Sequence, residues 1–430
     1  MASRTLSTIS LYTGAGGLDL GIEAAGFETR VAIEMDPDAV ATLRHNRSWE
    51  VIPEDIHSKA ASSERILSLA GLKPGEPSLL IGGPPCQPFS KSGYWHSGYS
   101  KRLDDPRART LDEYLRVMRE TLPQAFLLEN VPGITFNKKS EGLSYLRQEI
   151  SKINAKSGTN YSFNVKQLNA AQYGVPQLRN RVFVVGERDG KEFQFPTQTH
   201  RVPGPVSMSG DTEQTKIRSL IEESEKGLLP AVTAWDALCD LPKPEPWEEL
   251  EPAGKWAGLL ASIPEGSNYL YHTNRGGGLQ IFGWRSRYWS MLLKLAKSRP
   301  SWTLTAQPGP AIGPFHWENR RLSAAELCAL QTFPKSYEIL GNTRAVYKQV
   351  GNAVPSLLAE IIGLEIKRQF FDSGAKQKPT LSPCVAARIP APEPVREVSE
   401  THYLELVKHY NDHPGTGLGP GAQRRSKAAK

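Results

Sequence analysis

Apolar and polar positions switch between two periods over the first 190 residues. Residues 6–12 form a short β-prone run that stops at Thr13-Gly14-Ala15-Gly16-Gly17. Leu18, Ile22 and Ala25 then recur at helical spacing, and Gly26 closes that helix. The same order repeats: a strand over 30–34, a helix over 38–45, and an apolar run over 78–81 ended by Gly82-Gly83-Pro84-Pro85. An amphipathic helix over 111–122 carries Leu111, Tyr114, Leu115 and Met118 on one face, and a buried strand covers 125–128. Strands alternating with helices at this spacing predict an α/β fold with a parallel sheet. Residues 161–168 and 182–185 predict paired strands, whereas 191–268 is proline-rich and shows no period. A helix returns within 319–333, where Ser323 and Glu326 make a capping box, and another spans 355–370, opened by Pro355. From residue 371, Pro379, Pro383, Pro390, Pro392 and Pro394 predict an extended linker. The Gly-rich, basic end over 415–430 predicts disorder.

Length and composition narrow the class. A chain of 430 residues suits two or three domains, and 23% charged residues rule out global disorder. The four cysteines lie far apart with no CxxC pair, which excludes a disulfide scaffold or a cysteine zinc site. No apolar run of membrane-spanning length occurs and the N-terminus lacks a signal segment, so the expected location is the cytoplasm. The net charge of +7 is compatible with a polyanionic partner.

The candidate chemistry sits at strand ends, where open α/β sheets bind ligands. Gly14, Gly16 and Gly17 would let backbone approach a ligand, and Glu34, about 20 positions on, could take a ribose diol. Asp19 stands where a dinucleotide fingerprint needs its last glycine, which disfavours a nicotinamide enzyme. Asp55 and Ile56 could contact an adenine-like ring. Cys86 follows two prolines on a loop leaving a strand, a setting that holds a nucleophile rigidly rather than burying a structural thiol. Glu129 ends another strand before Asn130-Val131-Pro132-Gly133. Gln177, Arg179 and Arg181 alternate within a strand-like segment, so all three are expected on one face.

Together these residues resemble the C5-cytosine DNA methyltransferases of bacterial restriction–modification systems. The blocks that carry the resemblance are Leu11 to Gly17, Gly83-Pro84-Pro85-Cys86-Gln87, Glu129-Asn130-Val131 and Gln177-Leu178-Arg179-Asn180-Arg181. Arg321-Leu322-Ser323, Leu330 to Pro334 and Gly351-Asn352-Ala353-Val354-Pro355 complete them; Tyr12 stands where the family usually has Phe. The resemblance implies a Rossmann-like methyltransferase domain over 1–190 completed by 319–370, an irregular target-recognition domain over 191–318, and a linker and tail over 371–430.

It further implies S-adenosylmethionine as cofactor. Tyr12, Gly14, Gly16, Gly17, Glu34, Asp55, Ile56, Pro85, Leu111 and Asn352 would bind it. Cys86 would add to C6 of an extruded cytosine, Glu129 would share a proton with N3, and Arg181 would bind O2. Gln177 joins this catalytic group, and Arg179 is expected to orient the Cys86 loop or bind phosphate. Gln87 and Ser90 would touch DNA, and residues 89–109 would form a mobile loop closing over it. The implied partners are double-stranded DNA, a restriction endonuclease of the same site specificity, and no second copy of the chain.

No acidic residue occurs over the 52 positions from Gly266 to Trp317, where the chain average gives roughly five. Arg275, Arg285, Arg287, Lys294, Lys297 and Arg299 lie there among aromatics that include Trp289 and Trp302. The span is read as the DNA contact, with Arg275, Arg285 and Arg287 as its contacts to phosphates or guanine edges. A tRNA cytosine-5 methyltransferase and a catalytically idle DNA-binding regulator are the competing readings.

Overall fold

The structure is a computed structural model. It describes residues 5–85, 109–131, 141–202, 227–244, 250–273, 276–282, 289–372, 374, 377–397, 401 and 403. The expectations for Cys86, Gln87, Ser90, Arg275, Arg285, Arg287, the loop after Cys86 and the end of the tail therefore fall outside the described residues.

Chain order gives β1 (Leu6–Leu11), α1 (Gly17–Ala24), β2 (Phe27–Ile33), α2 (Pro37–Asn46), β3 (Glu50–Ile52), α3 (Ser63–Ala70) and β4 (Leu79–Gly82). There follow α4 (Arg109–Thr121), β5 (Ala125–Asn130), α5 (Glu141–Ser157), β6 (Ser162–Asn169), β7 (Gln177–Leu178) and β8 (Asn180–Glu187). After these come α6 (Ala234–Leu238), β9 (Ser301–Trp302), α7 (Ala324–Leu330), α8 (Thr343–Asn352) and α9 (Ser356–Ile366). Seven strands make one sheet in the order β3-β2-β1-β4-β5-β8-β6. The first five run parallel, as the alternating pattern predicts, and β8 and β6 join antiparallel at one edge. Parallel strands buried on both faces need continuous apolar runs. β4 and β5 are such runs, buried along their whole length.

Each face of the sheet has its own core. One packs Ile9, Leu11, Leu80 and Phe126 against α3, α4 and α5. The other packs Ile81, Leu127 and Phe183 against α1 and α9, and includes Leu357, Leu358 and Ile362. Gly17 makes this last contact possible, because a Cβ there would lie 2.5 Å from the carbonyl oxygen of Val354. A third core joins α6, α7 and α8, and a fourth gathers Trp256, Leu259, Tyr269, Phe282 and Phe315. The capping box of Ser323 and Glu326 is present at the start of α7.

α3, α5 and α8 are three helices the sequence pattern did not single out. For α3 the signals are local: the Ser62 hydroxyl accepts from the Arg65 N–H, and Gly71 closes the helix in the left-handed region. Residues 377–397 are extended, yet they are tied to the body: the Glu360 carboxylate accepts from Thr380 N–H and Leu381 N–H, and the Asp236 carboxylate accepts from Ala386 N–H. Among the described residues no helix is long and apolar enough to cross a membrane.

Candidate active site

The chain leaves β1 through a strained turn. Tyr12 has φ 56°, a value rare outside glycine, and its hydroxyl donates to the Thr110 carbonyl at 2.6 Å. Gly16, at φ 80°, is the N-cap of α1 and offers no side-chain cap, so the first N–H groups of that helix face the turn without a side-chain acceptor. Glu34, just past β2, accepts from Gly14 N–H at 2.7 Å and Asp36 N–H at 2.8 Å. Burial pushes its carboxyl above the ordinary range, with these amide donors opposing the shift. Met35 follows with 63% of its surface exposed, a large apolar side chain at a strand's carboxyl end that sequence reasoning passed over.

The other expected cofactor residues divide. Leu111 is buried at the start of α4, in the core that Tyr12 packs against. Ile56 is buried in the same core, and its carbonyl accepts from Arg116. Asp55 is exposed; amide and ring hydrogen bonds from His57 hold its carboxyl below the usual range. Pro85 is exposed, and its carbonyl accepts from the Thr110 hydroxyl. Asn352, at the end of α8, is exposed, while its neighbours Ala353 and Val354 lie against Gly17. The far end of the chain thus returns to the glycine turn, and Tyr337 adds a hydroxyl donated to the Ala15 carbonyl at 2.9 Å.

Beside this turn, β5 presents Glu129. Arg181 Nε lies 2.8 Å from Glu129 Oε1, and both side chains are largely buried. Burial pushes the Glu129 carboxyl up, and the Arg181 and Arg179 charges oppose that shift. The segment leading to Cys86 runs alongside: a Cβ on Gly83 would sit 3.0 Å from Glu129 Oε2. The Pro84 carbonyl accepts a long contact from Asn130 Nδ2, at 3.5 Å. These contacts bring the chain, up to two residues before Cys86, against Glu129 and Asn130.

The Arg179 guanidinium donates to Gln177 Oε1 at 3.4 Å, and its charge acts on Glu129 together with that of Arg181. The chain changes sheets at Arg179: β7 pairs with β9, whereas β8 pairs with β5 and β6. The three alternating positions therefore span two ladders. Gln177 and Arg179 are both fully buried. Gln177 donates to the Leu330 carbonyl and to Gln331 Oε1. Arg179 donates to the carbonyls of Leu304, Gly351 and Ala353 at 3.3, 2.7 and 2.9 Å. It reaches no surface where a phosphate could bind, so the expectation of phosphate contact is corrected to a structural tie.

Two cations expected to face DNA are buried as well. Lys294 donates to Asn319 Oδ1, and burial pulls its ammonium down to about 8. Lys297 lies between Glu265 and Glu393. Their absence from the surface follows from these partners, all three of which lie outside the carboxylate-free span.

The family model for C-5 cytosine-specific DNA methylases matches residues 6–368. The Type II methyltransferase M.SacI of Streptomyces achromogenes is 42% identical over 394 residues, which are 86% of this chain and 95% of that protein. M.AquIA of Picosynechococcus is 44% identical over 243 residues, 55% of this chain and 90% of its own. The crystal structure of S. pombe Dnmt2 methyltransferase superposes with a TM-score of 0.52 at 17% identity, covering 86% of this chain and all of that one, a likeness of fold. The chain belongs to the C-5 cytosine-specific DNA methylases, enzymes that transfer a methyl group from S-adenosylmethionine to cytosine C5 in DNA.

Proposed function

We propose that this methyltransferase works through Cys86, Glu129 and Arg181, and that it protects its DNA sites from a restriction endonuclease of the same specificity. The observation that supports the catalytic reading is the buried Glu129–Arg181 pair beside Gly83, three residues before Cys86. Cytosine C5 is a weak nucleophile. The Cys86 thiolate forms a bond to C6, and the ring's electron pair shifts toward N3 and O2. Arg181 hydrogen-bonds O2 and Glu129 holds a proton at N3, so the new charge meets donors already in place. Once C5 carries the new methyl group, water takes the C5 proton, and its electron pair restores the C5–C6 double bond and expels the Cys86 thiolate. The cytosine must leave the duplex first, because C6 is shielded within the base stack.

The residues around the glycine turn suit the cofactor. The uncapped start of α1 suits a carboxylate, Glu34 suits a ribose diol, and exposed Met35 suits a flat ring. Tyr12, Gly14, Asp55, Ile56, Pro85, Leu111 and Asn352 complete the proposed set. When bound, S-adenosylmethionine supplies the methyl group that the activated C5 receives. The protein acts as a monomer in the cytoplasm, held to the nucleoid through DNA.

The test is transfer of labelled methyl groups to mixed-sequence duplex DNA, with tRNA as the competing substrate. Cys86→Ala is expected to abolish turnover and leave cofactor affinity within a few-fold. Transfer that survives in Cys86→Ala, or a preference for tRNA, would overturn the proposal.

A further inference from the structure

An exposed face next to β7 carries two tryptophans. Trp289 and Trp302 are 46% and 38% exposed, and they are the only aromatic residues among the exposed large hydrophobics of the described residues. Their rings meet edge to face with centroids 4.4 Å apart. Trp302 pairs with Leu178 across the parallel β7–β9 ladder, so it stands one strand away from the segment that carries Arg181 to Glu129.

Both are held by rigid backbone. The Trp289 carbonyl accepts from Asn268 Nδ2 at 2.7 Å, and the Trp302 carbonyl accepts from the Ser301 hydroxyl at 2.8 Å. Thr303 follows with its hydroxyl donated to the Leu178 carbonyl at 2.6 Å, which pins the strand to β7. A pair fixed this way keeps apolar ring surface in water although two cores lie close by. Such surface marks a site covered by a ligand.

The surroundings select the ligand. Both tryptophans lie in the 52-residue span without a carboxylate, so nothing local to it in sequence repels a polyanion. The β7–β9 ladder ties the patch to Leu178, three residues before the Arg181 assigned to an extruded cytosine. We infer that Trp289 and Trp302 are a stacking support for the bases next to that cytosine, a positioning role in the same reaction that rests on the catalytic reading above. Indole faces stack on any base, so the pair adds affinity and holds the opened duplex without reading its sequence.

Equilibrium binding of mixed-sequence duplex DNA, followed by anisotropy and tryptophan emission, tests this. Stacking predicts that DNA quenches the emission and that Trp302→Phe loses part of the quench. Trp302→Ala and Trp289→Ala should each weaken DNA binding about 5-fold or more. Cofactor affinity should stay within two-fold, and Trp302→Phe should retain more DNA affinity than Trp302→Ala. DNA affinity within two-fold of wild type in both alanine variants would overturn the inference, as would an equal loss of cofactor binding. Methyl transfer by the wild-type protein is scored separately: its failure removes the catalytic reading, whereas the binding data decide the tryptophans.

Discussion

Glu129 gains its chemistry from burial. An exposed glutamate is ionised at neutral pH and cannot donate, but burial raises this carboxyl while Arg181 and Arg179 pull it back. The protonated fraction falls as pH rises through the raised pKa, so turnover should decline along a basic limb. Glu129→Gln keeps a donor that does not titrate. Its turnover should fall by about 10²- to 10³-fold and lose that limb in a pH–rate profile; a limb unchanged in the variant would mean another group titrates. Asp19 is a second buried acid, fully enclosed in the first turn of α1, and burial raises its carboxyl to about 8. Its folded pKa lies above the unfolded one. The stability it allows is full below about pH 4 and is lost as pH rises toward 8. Asp19→Asn should therefore melt higher than wild type at pH 8, with the gap closing near pH 5; a gap independent of pH would exclude ionisation as its cause.

Three elements meet at Arg179. Its guanidinium joins β7 to the carbonyl of Leu304 after β9, and to Gly351 and Ala353 at the turn between α8 and α9. The Ala353 carbonyl also accepts from Gln331 Nε2, but the bonds to Leu304 and Gly351 are buried, so removing the donor takes away their buried partner. Arg179→Ala should cost on the order of 3 kcal/mol or more in denaturant unfolding, and should reduce cofactor and DNA binding together because both sites share this frame. Sequence pattern could not reveal that role, since the three acceptors lie 125, 172 and 174 residues away. Local features were legible for the opposite reason. The strand–glycine–helix start, the capping box of α7 and the strand ending in Glu129 each follow from neighbouring residues alone. What alternation along Gln177, Arg179 and Arg181 does not show is the change of sheet at Arg179, which is a tertiary event.

At the scale of the whole molecule, the proline-rich segment is a strap across the body. Its first tie is at α9, where Glu360 is fully buried and accepts from Thr380 and Leu381. It then passes Asp236, and Glu393 closes on Lys297 at 2.7 Å, opposite Glu265. Arg396 N–H donates to the Ala261 carbonyl, and Tyr403 is buried in the core of Trp256 and Leu259. Composition suggested a linker because prolines extend the backbone whether or not it is bound; what distinguishes the strap is its partners, which only the fold supplies. Its two ends are fixed to α9 on the sheet and to the core of Trp256 and Leu259, so it limits how far the two can separate. Ending the chain at residue 376 removes Glu393 and leaves the Lys297 side chain, 4% exposed in the intact protein, with Glu265 alone. The shortened protein should bind cofactor nearly as well as the full chain. The part around Trp256 and Leu259, proposed to recognise DNA, should become sensitive to protease at lower temperature than the sheet, and the KM for DNA should rise severalfold while kcat changes less. If protease sensitivity and DNA KM both match the full chain, the strap is decoration and the interface between the two regions holds without it.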